Sequence, residues 1–192
     1  LTFTTGTWDT AQTVTVTGVN DDVDDGDQDT TITIAVDDDN SDDELFLFGV
    51  GDQTVTATTA DDDTAGFTVS QSGDSTLVDE AGLTDTFDVV LTTKPTSSVV
   101  FTVASGDTGE ATVSPATLTF TDLIWNTAQT VTVTGVNDDV DDGDQDTTIT
   151  IAVDDDNSDN AFDGLADQTV TATTTDDDTA AFMVLLSGDS TL

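Results

Sequence analysis

Apolar residues along this chain fall at every second position. In TVTVT (130–134) the valines alternate with threonine, and in TTITIAV (147–153) Ile149, Ile151 and Val153 share one face. QTVTATT (168–174), TDTFDVVL (84–91), SVVFTVA (98–104), TLTFT (117–121) and AGFTVSQ (65–71) follow the same rule, with Asp, Gly, Asn and Ser between them. A period of two with β-branched residues predicts strands, and the intervening residues predict turns. No stretch carries a helical stripe. The expected architecture is all-β, an immunoglobulin-like antiparallel sandwich of about seven strands, with Val, Ile, Leu and Phe inward and Thr toward water. Trp8 and Trp125 are expected to anchor a corner of the core.

The pattern repeats. Residues 8–42 match 125–159 with one change, Asp9 to Asn126, at an offset of 117 (125 − 8), and DQTVTAT recurs at 52–58 and 167–173. A period near 115 is a domain length rather than a solenoid repeat. Residues 1–63 then read as the C-terminal part of one repeat, 64–178 as a complete one, and 179–192 as the first strand of the next. We therefore expect a segment of a longer tandem array. The two copies differ in one connection, LFLFGVGDQ (45–53) against AFDGLADQ (161–168).

Charge changes the picture more than any other property. The 192 residues carry 41 acids against one base, Lys94, for a formal net charge of −40. Only Glu44, Glu80 and Glu110 are glutamates, so the acids are overwhelmingly aspartate. The field repels nucleic acid and anionic lipid. No apolar run approaches a membrane span. With no His and no Cys there is no Ser–His or Cys–His pair, no thiolate or imidazole metal site, and no disulfide. An enzyme working through paired carboxylates has no cleft-forming insertion or aromatic sugar platform to support it.

The acids are placed, not scattered. NDDVDDGDQD (137–146) lies between two predicted strands, TDDDT (175–179) follows the last strand of the unit, ADDDT (60–64) is its earlier copy, and VDEAG (78–82) sits near the unit's start. Two like charges about 4 Å apart at a protein surface cost about 4 kcal/mol. Three such clusters brought together without counter-charge would oppose folding by more than a small domain's total stability of about 5–15 kcal/mol. One lysine cannot offset that, whereas Ca²⁺ takes 6–8 oxygens in flexible geometry. A solvated acidic face, as in proteins of salty habitats, explains the total but not the register. DDDNSDN (154–160) stays open between ligand set and solvated turn. The loop is no EF-hand: with Asp21 as position 1, Val23 and Ile32 stand where ligands belong. Thr-x-Thr ladders invite ice binding, but short strands and dense charge oppose it.

An early V-x-E (Val78–Glu80), the loop VNDD (136–139), a terminal DDD (176–178) and the stretch EATVSPATLTFT…WNTAQTVTVTGVNDDVDDGD together resemble the Calx-β domain, in its bacterial tandem form from large calcium-dependent surface proteins. That resemblance implies a seven-stranded sandwich with Ca²⁺ at one pole. It implies Glu80 as the early ligand, Asp138 and Asp139 as paired loop ligands, and Asp176, Asp177 and Asp178 as the terminal set. Asp107 corresponds to a mid-chain ligand, and Asp142 and Asp144 to the later loop acids. In the preceding copy Asp21, Asp22, Asp61, Asp62 and Asp63 correspond, without a glutamate partner.

The expected function is a calcium-rigidified spacer repeat of a large extracellular surface protein, an adhesin, surface-layer or filament component. Its partners would be neighbouring repeats and other copies in a layer or filament. The rival is a calcium-responsive regulatory or ligand-recognition module, for which an exposed apolar patch is wanted and none is evident.

Overall fold

The computed structural model describes residues 1–41 and 50–184 and divides the chain into two compact units, Leu1–Asp63 and Thr64–Leu192. Residues 42–49, which include most of the apolar part of the 45–53 connection, and residues 185–192 of the segment read as the next repeat's first strand lie outside the described residues.

In the first unit, β1 (Gln28–Ile34) and β2 (Gln53–Thr59) form an antiparallel pair in which Ile32 faces Val55. Among its described residues the second unit has nine strands: β3 (Phe67–Gln71), β4 (Thr76–Asp79), β5 (Thr84–Leu91), β6 (Val99–Ser105), β7 (Ala111–Ser114), β8 (Thr117–Phe120), β9 (Gln129–Gly135), β10 (Gln145–Val153) and β11 (Gln168–Thr175). They build two sheets, β4-β11-β10-β6-β8 and β3-β5-β9-β7. The architecture is the expected all-β sandwich.

Alternation does the building. Phe87, Val89 and Leu91 of β5, Val131 and Val133 of β9, Ile149 and Ile151 of β10, and Val170 and Ala172 of β11 all point inward and are buried. They close on Phe67, Phe101 and Phe120, where Phe101 meets Phe67 at 4.7 Å between ring centroids and Phe120 edge-on at 5.9 Å. Trp125 packs against this core from the β8–β9 turn.

Two strands exceed the expected seven. They are β4 and β7, of four residues each. β4 also breaks the antiparallel rule, because it lies parallel to β11, with Ala172 opposite Thr76 and Thr175 opposite Asp79. Nor does every threonine face water: Thr76, Thr93, Thr147 and Thr174 are buried.

In the first unit the same letters find no second sheet among the described residues. Leu1, Phe3, Val14, Val16 and Val55 are half or more exposed, whereas their counterparts Leu118, Phe120, Val131, Val133 and Val170 are buried. Trp8 is exposed too, so it anchors nothing there.

The register fixes two poles in the second unit. Phe67 pairs with Leu91 at one end, beside the loops 92–98 and 154–167. Thr174 pairs with Gln145 at the other, where β4 ends, β11 ends and the loops 106–110 and 136–144 cross. Among the described residues no helix is long and apolar enough to cross a membrane.

Candidate metal centre

The 136–144 loop is folded by its own carboxylates. The Val140 N–H donates to Asp138 Oδ1 (2.7 Å), the Asn137 side-chain amide donates to the Asp138 carbonyl (2.6 Å), and Gly143 takes a positive φ of 75°. The loop and the terminal triplet then hold each other. The Gly143 N–H donates to Asp176 Oδ2 (2.7 Å), the Asp176 N–H to Asp144 Oδ1 (3.2 Å), and the Asp178 N–H to Asp176 Oδ1 (2.8 Å). The Ala180 N–H donates to Asp141 Oδ2 (2.6 Å).

Two glutamates complete the pole. Glu80 follows β4, its N–H donating to the Thr175 carbonyl (3.2 Å). Glu110 precedes β7, its carbonyl accepting from the Val136 N–H (2.8 Å) and the Thr174 hydroxyl (3.1 Å). The result is two triads, Glu80–Asp176–Asp178 and Glu110–Asp138–Asp142, each with carboxylate oxygens within 4.8 Å of one another. Oxygens bound about 2.4 Å from one Ca²⁺ lie no farther apart than this spacing.

Electrostatics joins the triads. Burial pushes the Glu80 carboxyl above its ordinary value; the Asp177 N–H pulls the other way, and Asp176, Asp138 and Asp178 raise it further. Glu110 is raised by burial and then by Asp142, Asp138, Asp107 and Asp176. Asp178 is raised by burial and then by Asp177, Asp139, Asp176 and Asp138. Asp138 bears on all three groups.

Donor chemistry matches a hard divalent ion. Every candidate ligand atom is a carboxylate oxygen, and the sequence has no His or Cys to offer imidazole nitrogen or thiolate sulfur. Glu80 is only 4% exposed, yet its Oε2 has no hydrogen-bond partner, and neither does the buried Asp178 Oδ2. A buried, unpartnered carboxylate oxygen is costly unless a cation meets it.

Of the residues implied by sequence, Glu80, Asp138, Asp142, Asp176 and Asp178 stand in the triads. Asp177 presents its N–H to Glu80, and Asp139 adds charge beside Asp178. Asp144 ties the triplet's backbone. Asp107 caps its own turn, accepting from the Gly109 N–H (2.9 Å), and adds charge at Glu110. Glu110 itself escaped the sequence reading, although it is one of three glutamates and lies three residues from Asp107.

The first unit has the same frame without the triads. Asp61 Oδ2 accepts the N–H groups of Asp25 (3.1 Å) and Gly26 (2.6 Å), and hydrogen bonds from Asp63 and Gly26 lower its carboxyl. Asp63 is raised by burial and by Asp62, Asp61, Asp22 and Asp21. Among the described residues, three carboxylates converge to metal-ligand spacing only in the second unit.

DDDNSDN lies at the opposite pole, where Asp159 is a structural tie. Its Oδ2 accepts the Thr96 N–H (2.6 Å), the Thr96 hydroxyl (2.7 Å) and the Ser97 N–H (2.8 Å), and its Oδ1 the Ala161 N–H (3.1 Å). Burial works to raise this carboxyl, and those hydrogen bonds outweigh it and leave it lowered.

No protein-family model matches the sequence, and no curated protein does. Among solved structures, the chain is similar to the apo form of a Calx CBD1 domain (14% identity, TM-score 0.37, covering 58% of this chain and 98% of that one). It is similar to domains 4 and 5 of the S-layer protein SbsC (21% identity, TM-score 0.37, covering 65% of this chain and 63% of that one, less than two thirds of its length). It is also similar to SSP-19, an MSP-domain protein like family member of Caenorhabditis elegans (19% identity, TM-score 0.35, covering 55% and 94%).

Proposed function

We propose that this chain is a calcium-binding, calcium-rigidified spacer segment of a large extracellular surface protein, of the adhesin, surface-layer or filament kind. One observation carries the metal assignment. Glu80 is buried with an unpartnered Oε2 against Asp176 and Asp178, in a chain whose single base lies elsewhere in sequence. Bound there, Ca²⁺ supplies positive charge and nothing more. Glu80, Asp176 and Asp178 would hold one ion, and Glu110, Asp138 and Asp142 a second. The role is structural, with no catalytic step.

The spacer reading follows from where the acids lie. The DDD triplet runs straight into Thr179 and Ala180, and Asp141 holds the Ala180 N–H. The chain leaving the unit is thus tied to the loop that carries the ligands. Neighbouring repeats, and other copies in a layer or filament, are the partners this reading names.

Calorimetric titration of the full chain with calcium, after exhaustive chelation, tests the assignment. We expect uptake of calcium well above that of magnesium, abolished in part by Glu80→Gln. Absence of calcium uptake overturns it. Tight micromolar binding accompanied by a large change in small-angle scattering would favour the regulatory module over the spacer.

A further inference from the structure

We propose that Gly135, with the Asp79–Gly82 turn seated on it, is the positioning element of the Glu80 carboxylate; the proposal rests on the metal reading above. Gly135 is the buried last residue of β9, and a Cβ built on it would lie 2.1 Å from the Asp79 carbonyl oxygen and 2.7 Å from its carbon. No side chain fits in that space. The obstructing atoms are backbone, so they cannot swing aside as a side chain would. The bare Cα of Gly135 is what lets β4 end against β9 with Glu80 aimed at Asp176 and Asp178.

The turn is braced from its own side. Asp79 Oδ1 accepts the Leu83 N–H (2.6 Å), the Gly82 N–H donates to the Asp79 carbonyl (3.1 Å), and Gly82 takes a φ of 93°. The Gly135 N–H also reaches the Leu83 carbonyl (3.5 Å). Asp79 is adjacent to Glu80 yet belongs to neither triad, and its carboxylate is spent on the turn. Its task needs an acceptor oxygen, not a charge. That distinguishes it from every acid that acts by charge at the pole.

One residue farther on, the Val136 N–H holds the Glu110 carbonyl at 2.8 Å. Gly135 and Val136 thus seat the two glutamates of the two triads from one strand end. A Cβ at Gly135 displaces the Asp79–Glu80 side and leaves the Val136–Glu110 bond in place.

The experiment is a calcium titration of the full chain, by competition with a chromophoric chelator, for wild type and four variants. Groups that orient metal ligands are worth about 10–100-fold in affinity. Asp79→Ala is therefore expected to weaken one binding step by that factor, and Asp79→Asn, which keeps the acceptor oxygen and removes the charge, to titrate as wild type. Gly135→Ala should lose the same step and keep the other. Gly66→Ala, whose Cβ would meet the Thr92 hydroxyl oxygen at 2.9 Å at the far pole, should lose neither. If Gly135→Ala does not fold, the Asp79 pair decides. The proposal is overturned if Asp79→Ala binds as wild type, or if Asp79→Asn falls as far as Asp79→Ala. Failure of the wild type to take up calcium sinks the metal reading itself, whereas normal wild-type uptake with unaltered variants sinks only the positioning.

Discussion

Chelation is the most direct perturbation of this molecule, because the metal would add a charge-neutralising link between segments that hydrogen bonds alone now join. Glu80 closes β4, Asp176 and Asp178 follow β11, and Glu110 and Asp138 bring in the β6–β7 and β9–β10 connections. A ligand that binds only the folded state stabilises it by RT ln(1 + [L]/Kd), about 2.7 kcal/mol per site at 100 times Kd. Two triads filled at that ratio give about 5 kcal/mol, of the same order as a small domain's whole stability. For a unit of this size each kcal/mol moves Tm by about 4 °C, so the expected difference is about 20 °C. The assay is a thermal melt followed by far-ultraviolet circular dichroism, with calcium at increasing excess and with chelator, at constant ionic strength. Tm should climb with the logarithm of calcium concentration beyond saturation, which nonspecific screening does not reproduce. A Tm that agrees within about 2 °C between chelator and saturating calcium refutes the reasoning.

Other outcomes follow from the same geometry. Without metal, Glu80, Glu110 and Asp178 have folded pKa values above their unfolded ones, so the folded state gains protons and Tm should rise as pH falls from 7 toward about 5. Asp85 and Asp159 are lowered, so the stability they contribute is lost below the ordinary carboxylate range near 4, and Tm should turn down there. With calcium present protons compete for the same oxygens, and melts across the range should show Tm falling throughout. Glu110→Gln should remove one calcium equivalent in the titration and leave the Glu80 triad's step. Asp159→Ala should cost about 2–4 kcal/mol in urea denaturation, because the N–H groups of Thr96 and Ser97 lose their acceptor, with unchanged calcium stoichiometry. Leu118→Ala should cost about 2–5 kcal/mol, whereas Leu1→Ala, at the matching position but 68% exposed, should stay within about 0.5 kcal/mol.

Much of this could be read from the letters because strands built of T-V-T and T-I-T announce their inward face at every second residue. β5 was expected at 84–91 and spans Thr84–Leu91. The gathering of the acids into loops was visible in the letters, whereas their meeting at one pole was implied only by the resemblance to the Calx-β domain. β4 and β7 escaped because each carries a single large apolar residue on its inward face, Val78 and Val113, whereas the equally short β8 carries two, Leu118 and Phe120. The parallel partnership of β4 with β11 escaped because nothing in TLVD distinguishes it from a turn; it depends on Gly135 admitting the Asp79 backbone. Glu110 escaped for the opposite reason to Asp138. It sits in SGDTGEAT with only Asp107 for company, outside any acidic run, and only the fold brings it to the loop acids. Thr147 and Thr174 fall in register with Ile149 and with Val170 and Ala172, so they occupy inward positions beneath the acidic pole, where the Thr174 hydroxyl donates to the Glu110 carbonyl.

The pairing of β4 with β11 has a mechanical corollary. The backbone reaches β3 and β4 from one extremity of the second unit and departs from β11 at the other, with these two segments side by side and running the same way. Tension applied through the polypeptide loads them in shear, so their cross-links must rupture as a group rather than peel apart in succession. Glu80 and Asp176 lie immediately beyond that pair, and an ion gripped by both would act as a rivet at its end.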